Sequence, residues 1–294
     1  MHTTMTSSSH VSPRLVHLRA VARQVGDAVV QQATVSAILV FGSVAHGAVD
    51  AYSDVDLLIV YHSAIPPVAK RKALLEAIGA GWRFGRPQRG SLFRVVDADG
   101  RVAGELVSIH YQTVAWIDAV LDAVLEHGAI STPPLPFRPY TVPALLHRAW
   151  VLLDRDGDVA RWRAASATYP PLLRANILRD VAPRLRGHVE ELTRTAERDL
   201  GAREFLFFLN AAVDELTSLL FALNGVYDPA ERRMHTAVVP ELPSLPPGYV
   251  ATMTEVLDGP FDHDGTRRRA RLFAQLAADV VQMASEMLAP DASV

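Results

Sequence analysis

The sequence contains no cysteine, and this absence removes several classes of site at once. Disulfide frameworks, thiolate metal ligands and cysteine nucleophiles are all excluded. A chain without disulfides is typical of the reducing cytoplasm, and we predict that location. The N-terminal stretch lacks the cationic and apolar regions of a secretory signal, so residues 1–13 are predicted to be a disordered lead-in.

Neither the charge nor the hydropathy of the chain is extreme. The formal net charge is -3, so no electrostatic excess favours nucleic acid as a partner. No apolar run reaches the about 20 residues of a membrane-spanning helix, and we predict no membrane segment. The 294 residues are enough for two domains of ordinary size.

Two kinds of pattern divide the chain. The N-terminal part combines helical spacing with apolar, β-branched runs that are typical of buried strands. Helices are predicted at about 14–33, 67–80 and 114–127, strands at 35–41 and 54–61, and a pair of strands within 91–111 that is joined by the Asp-Gly turn of DADG.

A segment with five prolines, 127–143, predicts a linker. Beyond it the pattern is helical, at 144–154, 171–199, 202–224 and 265–288, and Pro183 is expected to break or kink the second of these. We therefore predict an α+β protein, in which a small mixed-sheet domain at 14–135 is followed by an all-helical domain at 136–294.

Two aspartates separated by one residue begin the second apolar strand, DVDLLIVY. Because side chains alternate between the faces of a strand, Asp54 and Asp56 are predicted to share one face. Two uncompensated carboxylates in an apolar setting repel each other and are costly to desolvate, so a cation is expected between them. Mg²⁺ prefers oxygen ligands and substrate phosphates, and we predict that both aspartates bind it. The alternative is a capping turn followed by an edge strand with solvated aspartates.

The turn before this strand has the features of a phosphate-binding segment. Gly42 lets the backbone approach a ligand closely, and residues 43–46 can form a helical turn whose N–H groups point at an anion. Ser43 adds a hydroxyl donor, and Gly47 lets the chain turn before the loop 48–53 leads to the aspartates. Gly42 and Ser43 are therefore predicted to hold the phosphates of a nucleoside triphosphate.

The order of these residues resembles a known signature. The signature residues are Gly42-Ser43, Gly47, Ser53 and Asp54-x-Asp56, which resemble the G-S-x-x-x-G…S-D-x-D pattern of the nucleotidyltransferase fold, the DNA polymerase β superfamily. A short domain of this kind followed by helices is similar to bacterial aminoglycoside nucleotidyltransferases and their uncharacterised relatives. The resemblance implies that Ser53 belongs to the nucleotide site, and that two Mg²⁺ ions and ATP or another nucleoside triphosphate take part.

The resemblance also implies a third carboxylate on a neighbouring strand. Glu105, which begins ELVSIHY, resembles the glutamate that the aminoglycoside enzymes use as metal ligand and general base. The alternative is a solvated glutamate at a strand edge. Asp97 and Asp99 are rival carboxylates, although the DADG turn accounts for them. His110 lies five residues after Glu105, so alternation places it on the opposite face.

The helical half contributes further candidates. In LNGVYDPAERR the final basic pair resembles a basic position of the uncharacterised relatives, which implies that Arg232 or Arg233 reaches the triphosphate. Asp214 and Glu215 interrupt an apolar helix, and they either face a hydroxylated or cationic acceptor or form the polar stripe of an amphipathic helix.

Together these features predict a metal-dependent nucleotidyltransferase. It would move a nucleoside monophosphate, AMP from ATP, onto a hydroxyl of a small molecule and release pyrophosphate. Two other functions stay open, namely nucleotide transfer onto RNA or a protein side chain and a non-catalytic regulatory module that binds a nucleotide.

Overall fold

The computed structural model describes residues 12–84, 98–131, 138–230 and 238–289. The chain divides into two compact units. The first comprises residues up to Leu121 together with Leu145–Ala165, and the second comprises Arg138–Ala144, the segment that begins at Asp122, and the chain from Ser166 onward. The predicted lead-in lies outside the described residues except for its last two positions, and Pro13 is the first residue of a helix.

The first unit is built on a mixed sheet of six strands in the order β3-β4-β5-β2-β1-β6. Strands β2 and β5 are parallel, and the other neighbouring strands are antiparallel. The strands are β1 (Val35–Phe41), β2 (Val55–Tyr61), β3 (Ala80–Phe84), β4 (Ala98–Val102), β5 (Glu105–Thr113) and β6 (Trp150–Asp154). The mixed sheet and the helical remainder confirm the predicted α+β class.

The described residues also form helices of very different length. In chain order they are α1 (Pro13–Val30), α2 (Gly42–His46), α3 (Val68–Glu76), α4 (Val114–Leu125), α5 (Thr141–Arg148), α6 (Asp158–Ala165), α7 (Pro171–Glu197), α8 (Ala202–Asn224), α9 (Tyr249–Asp258) and α10 (His263–Leu288). The helices predicted at 14–33, 171–199, 202–224 and 265–288 are confirmed to within a few residues, whereas α6 and α9 do not correspond to predicted helices.

Helix α1 packs on one face of the sheet because its apolar residues recur every three or four positions. Leu18 and Val25 are fully buried there against Leu57 and Ile59 of β2. On the other face of the same strand Leu58 is also buried. The strand is therefore apolar on both faces, as its nearly continuous apolar run predicts.

The second unit is a set of packed helices. Helices α7, α8 and α10 pack against one another, and α9 packs on α10. Helix α8 is long and apolar enough to cross a membrane by length and composition, but 67% of its apolar window is buried. Burial of this extent is typical of the core helix of a helical domain, which is how α8 packs here.

The predicted helix at 144–154 is wrong in its second half. Helix α5 ends at Arg148, and the next residues form β6, which pairs with β1. A five-residue apolar run has no period of its own, so the sequence does not distinguish a continued helix from a strand. The open edge of β1 decides the outcome. As a result the first unit extends to Ala165, beyond the predicted boundary at 135.

The hairpin turn is also displaced from its predicted position. The turn lies at Ala103-Gly104, where both residues have positive φ, and the predicted turn residues Asp99 and Gly100 lie inside β4. A Cβ atom at Gly100 would lie 2.4 Å from the ring of Trp82. The glycine thus serves the packing of an indole against the strand. Pro183, which is expected to break or kink its helix, lies inside α7, whose span is continuous, so it does not break the helix.

Candidate active site

A tight turn connects β1 to α2 at one end of the two central strands. Gly42 begins α2 with φ +66°, and Gly47 ends it with φ +78°. Residues other than glycine are strained at such angles. Val44, between the two glycines, is fully buried and anchors the short helix. The predicted helical turn over residues 43–46 is confirmed.

The carboxylate of Asp56 lies directly against this turn. A Cβ atom placed on Gly42 would lie 2.8 Å from Asp56 Oδ2. Asp56 pairs in register with Phe41, the residue before the glycine, which explains the close approach. The structure thus brings together two predicted site residues, Gly42 and Asp56, and it explains why the position must be glycine.

Asp54 precedes the first residue of β2, and the alternation of the strand, extended by one pleat, gives it the same face as Asp56. The loop before it is closed by its own side chains. Ser53 Oγ accepts a hydrogen bond from the backbone N–H of Asp50 at 2.8 Å and donates to Asp50 Oδ1 at 3.0 Å. The hydroxyl of Ser53 therefore shapes the loop that leads to Asp54.

Glu105 lies at the same end of the sheet, but its position does not fit the role predicted for it. Strand β5 pairs with β2 so that Val55 is opposite Val107 and Asp56 is opposite Ser108. Glu105 is two residues from Val107 and shares its face, which is the face covered by α1, so it lies on the other side of the sheet from Asp56.

The surroundings of Glu105 are basic. Arg14 Nη1 donates a hydrogen bond to Glu105 Oε1, and His17 Nε2 lies 3.0 Å from the same oxygen. The hydrogen bond from Arg14 lowers the pKa of the Glu105 carboxyl and, in return, raises the pKa of Arg14. A carboxylate held in this way is a weak proton acceptor, so this geometry does not support the predicted role of Glu105 as general base.

A different carboxylate shares the face of Asp56. Ser108 is opposite Asp56 on one side and opposite Asp99 of β4 on the other. Residues in register on neighbouring strands point to the same face of a sheet. Ser108 Oγ donates a hydrogen bond of 2.6 Å to Asp99 Oδ1, in agreement with that placement. Both side chains are half-buried.

The composition of DADG favours a turn at Asp99, but in the structure Asp99 lies inside β4. The signal that points to a strand is the alternation of Ala98 and Val102, both buried, around exposed or half-exposed positions. His110 lies on the face opposite Glu105, as its spacing predicts, but because Glu105 lies on the α1 face, His110 shares the face of Asp56 instead of lying away from it. Its ring centroid is 5.6 Å from that of Phe41.

The residues around Gly42 fit a divalent metal ion and a phosphate. The donors are carboxylate and hydroxyl oxygens, which hard cations such as Mg²⁺ prefer. A methyl group added at Gly42 would displace Asp56 Oδ2, so the glycine turn and the carboxylate fit closely against each other. Asp54 and Asp56 could hold the metal, and Ser43 could donate to a phosphate.

A second cluster with potential metal ligands lies elsewhere. His62, Asp156 and Asp158 have ligand atoms within 4.8 Å of one another. His62 follows the far end of β2, six residues from Asp56, and at about 3.3 Å per residue this corresponds to roughly 20 Å. Asp158 also accepts a hydrogen bond of 2.9 Å from Arg161. The cluster is therefore distinct from the aspartate pair, and part of its charge is already balanced by a cation.

The candidate acceptor carboxylates of the helical unit are both paired. Arg138 donates to Asp214 through both terminal nitrogens, with Nη1 3.1 Å from Oδ1. Glu215 is buried and accepts from Arg184 Nε at 3.1 Å, while its other oxygen lies 2.7 Å from His188 Nδ1. Asp214 is largely exposed and fits the polar stripe, whereas Glu215 is itself buried and pairs with Arg184, whose side chain is half-exposed. Arg232 and Arg233 lie outside the described residues.

Comparison with known proteins gives a family match over the segment that carries the motif. Residues 22–79 match the family described as "Nucleotidyltransferase domain". Among solved structures, a nucleotidyltransferase-like protein from Exiguobacterium sibiricum 255-15 is similar at 11% sequence identity and a TM-score of 0.44, over 92% of this chain and 77% of that chain. A search of curated proteins gives no significant match. The matched segment contains the glycine turn and both aspartates, so residues 22–79 are similar to a nucleotidyltransferase domain.

Proposed function

We propose that the protein transfers a nucleoside monophosphate, AMP from ATP, to a hydroxyl group of a small molecule and releases pyrophosphate. The family match supports nucleotidyl transfer as the general reaction. The observation that carries the proposal is the Asp56 carboxylate seated on Gly42 at the start of α2. This arrangement joins a metal ligand and a phosphate-binding turn within one short segment.

Each residue of the segment has a distinct role in the proposal. Asp54 and Asp56 hold the divalent ions, and Ser43 together with the first N–H groups of α2 binds the phosphates. When bound, Mg²⁺ draws electron density from the α-phosphate and balances the charge of the departing pyrophosphate. The loop closed by Asp50 and Ser53 keeps Asp54 beside this position.

The acceptor must lose one proton during the transfer. Its hydroxyl oxygen bonds to the α-phosphorus, the bond between that phosphorus and the pyrophosphate oxygen breaks, and the hydroxyl proton passes to a carboxylate. We assign the proton to Asp99. The support for this assignment is its place in the row Asp56, Ser108, Asp99 on one face, whereas Glu105 lies on the other face and is engaged by Arg14.

The test is pyrophosphate release with each nucleoside triphosphate in the presence and absence of Mg²⁺. Acceptors are supplied as hydroxylated small molecules, as total RNA and as total protein, and label from ATP should appear in the first group. Asp56→Asn keeps the shape of the side chain but removes its charge, so we expect no transfer and no Mg²⁺-dependent binding of ATP, with thermal unfolding unchanged.

Val60→Ala on the same strand is the matched control, because it alters the buried core and not the site. It should lower stability and keep turnover. Full turnover by Asp56→Asn would contradict the metal role, and label in RNA or protein alone would replace the small acceptor with a macromolecule.

A further inference from the structure

The guanidinium of Arg14 connects three parts of the chain, namely α1, the start of β5 and the loop that leads to Asp54. Arg14 lies in the first turn of α1, and its two terminal nitrogens point to different partners. Nη1 donates to the carboxylate of Glu105 at the start of β5, and Nη2 donates to the backbone carbonyl of Ser53 at 3.1 Å. His17, one turn further along α1, contacts the same carboxylate.

The carbonyl of Ser53 belongs to the peptide group that leads into Asp54. A peptide group is planar, so a hydrogen bond that orients its carbonyl also orients the N–H and Cα of the following residue. The other side of Ser53 is fixed as well, because its backbone N–H donates to Asp50 O at 3.3 Å and its hydroxyl binds Asp50. On the other side of Asp54, Val55 is the first residue of β2 and is held in the sheet.

We propose that Arg14 is a positioning residue that acts through the Ser53 carbonyl to hold Asp54 in the orientation needed for metal binding, with Glu105 as its anchor. The inference depends on the proposed metal role of Asp54. It gives Glu105 a function that differs from the base expected of it.

The chemistry of the two ends explains why arginine is suited to this position. A planar guanidinium presents several donors in a rigid fork, so it can bind a carboxylate and a carbonyl at once, which a single ammonium group does less well. The carboxylate of Glu105 balances the charge of Arg14, so the guanidinium does not have to pair with the metal-binding aspartates.

If Arg14 only stabilised the fold, its loss would lower the temperature of thermal unfolding; a positioning role predicts a different result. The Arg14 side chain is 30% exposed and that of Glu105 is 19% exposed, and ion pairs with this access to water add little to global stability. Loss of the contact should therefore leave thermal unfolding nearly unchanged. The loop and the orientation of Asp54 should change instead.

The experiment compares Arg14→Ala with Arg14→Lys and with Arg23→Ala in the full chain. Arg23 is a suitable control because it lies on the same helix, is exposed and stacks on Trp150 at 5.0 Å without touching the loop. Three properties are measured for each protein: amide hydrogen exchange over residues 48–55, binding of Mn²⁺ with ATP, and the separate values of kcat and KM.

We expect Arg14→Ala to accelerate exchange in the loop and to lower kcat by about 10- to 100-fold, since an ångström-scale misplacement near the chemistry has an effect of that order. Mn²⁺ binding should weaken, KM for the acceptor should stay constant, and Arg14→Lys should recover part of each effect. Arg23→Ala should match the wild type.

Equal loop exchange in Arg14→Ala and Arg23→Ala would overturn the inference, whatever the activity. If the wild type shows no Mg²⁺-dependent release of pyrophosphate, the proposed function fails, and hydrogen exchange still decides whether Arg14 holds the loop. Faster exchange with unchanged Mn²⁺ binding and kcat would show that the contact orders the loop without serving Asp54, and this outcome also refutes the proposal.

Discussion

Substitution of Gly42 by alanine should separate backbone strain from damage to the site. The φ of +66° is unfavourable for an L-residue by about 1–2 kcal/mol. The new Cβ would also lie 2.8 Å from Asp56 Oδ2, whereas ordinary contacts begin at 3.4 Å. The carboxylate must therefore move by about 0.6 Å, the difference between those two distances.

A shift of this size should be visible in turnover. Because misplacement by about 1 Å lowers rates by about 100-fold, we expect kcat of Gly42→Ala to fall by roughly 10- to 100-fold. Binding of ATP in the presence of Mg²⁺, measured by calorimetry, should weaken in parallel. The free energy of unfolding in urea should fall by about 1–2 kcal/mol.

Gly47→Ala is the matched control for this prediction. Gly47 has a similar φ of +78°, but a Cβ atom added there would lie 3.4 Å from the methyl group Leu15 Cδ2 and would meet no carboxylate. The control should therefore lose a similar amount of stability and keep its turnover. If Gly42→Ala and Gly47→Ala lose stability and activity to the same extent, the close contact between Gly42 and the Asp56 carboxylate has no specific role in turnover.

Two further predictions follow from named contacts. Asp99→Asn should lower kcat by about 10²- to 10⁴-fold, the usual contribution of a proton acceptor. Glu105→Gln keeps an oxygen for Arg14 and should have a much smaller effect on kcat. If Glu105→Gln lowered kcat more than Asp99→Asn, Glu105 and not Asp99 would be the proton acceptor. Burial raises the pKa of Asp158, but the hydrogen bonds from Ser36 and Arg161 outweigh it and lower the pKa overall. Since the folded pKa lies below the unfolded value of about 3.9, Asp158 stabilises the fold above that pH and loses its contribution as the pH falls through the folded pKa. Thermal unfolding of Asp158→Asn should thus depend less on pH than that of the wild type in this acid range. Identical pH profiles would show that the contacts of Asp158 with Ser36 and Arg161 do not contribute to stability.

The part of the fold that depends on local sequence was predictable. The apolar strands β1 and β2, the glycine turn between them and the long helices of the second unit all follow from periodicity and turn chemistry within short windows. The common face of the two aspartates follows from strand alternation alone.

Register and pairing were decided only by the tertiary structure. The carboxylate that shares the face of Asp56 depends on which residue of β5 lies opposite Asp56, because a change of one position moves a side chain to the other face of the sheet. The turn at Ala103-Gly104 sets the register of β4 against β5, and the parallel pairing of β5 with β2 places Ser108 opposite Asp56. Asp99 therefore joins the face of Asp56, whereas Glu105 faces Arg14. Strand β6 likewise exists because a distant segment completes the edge of β1. Local sequence determines which segments become strands and turns, whereas contacts between residues far apart in the chain determine which side chains meet.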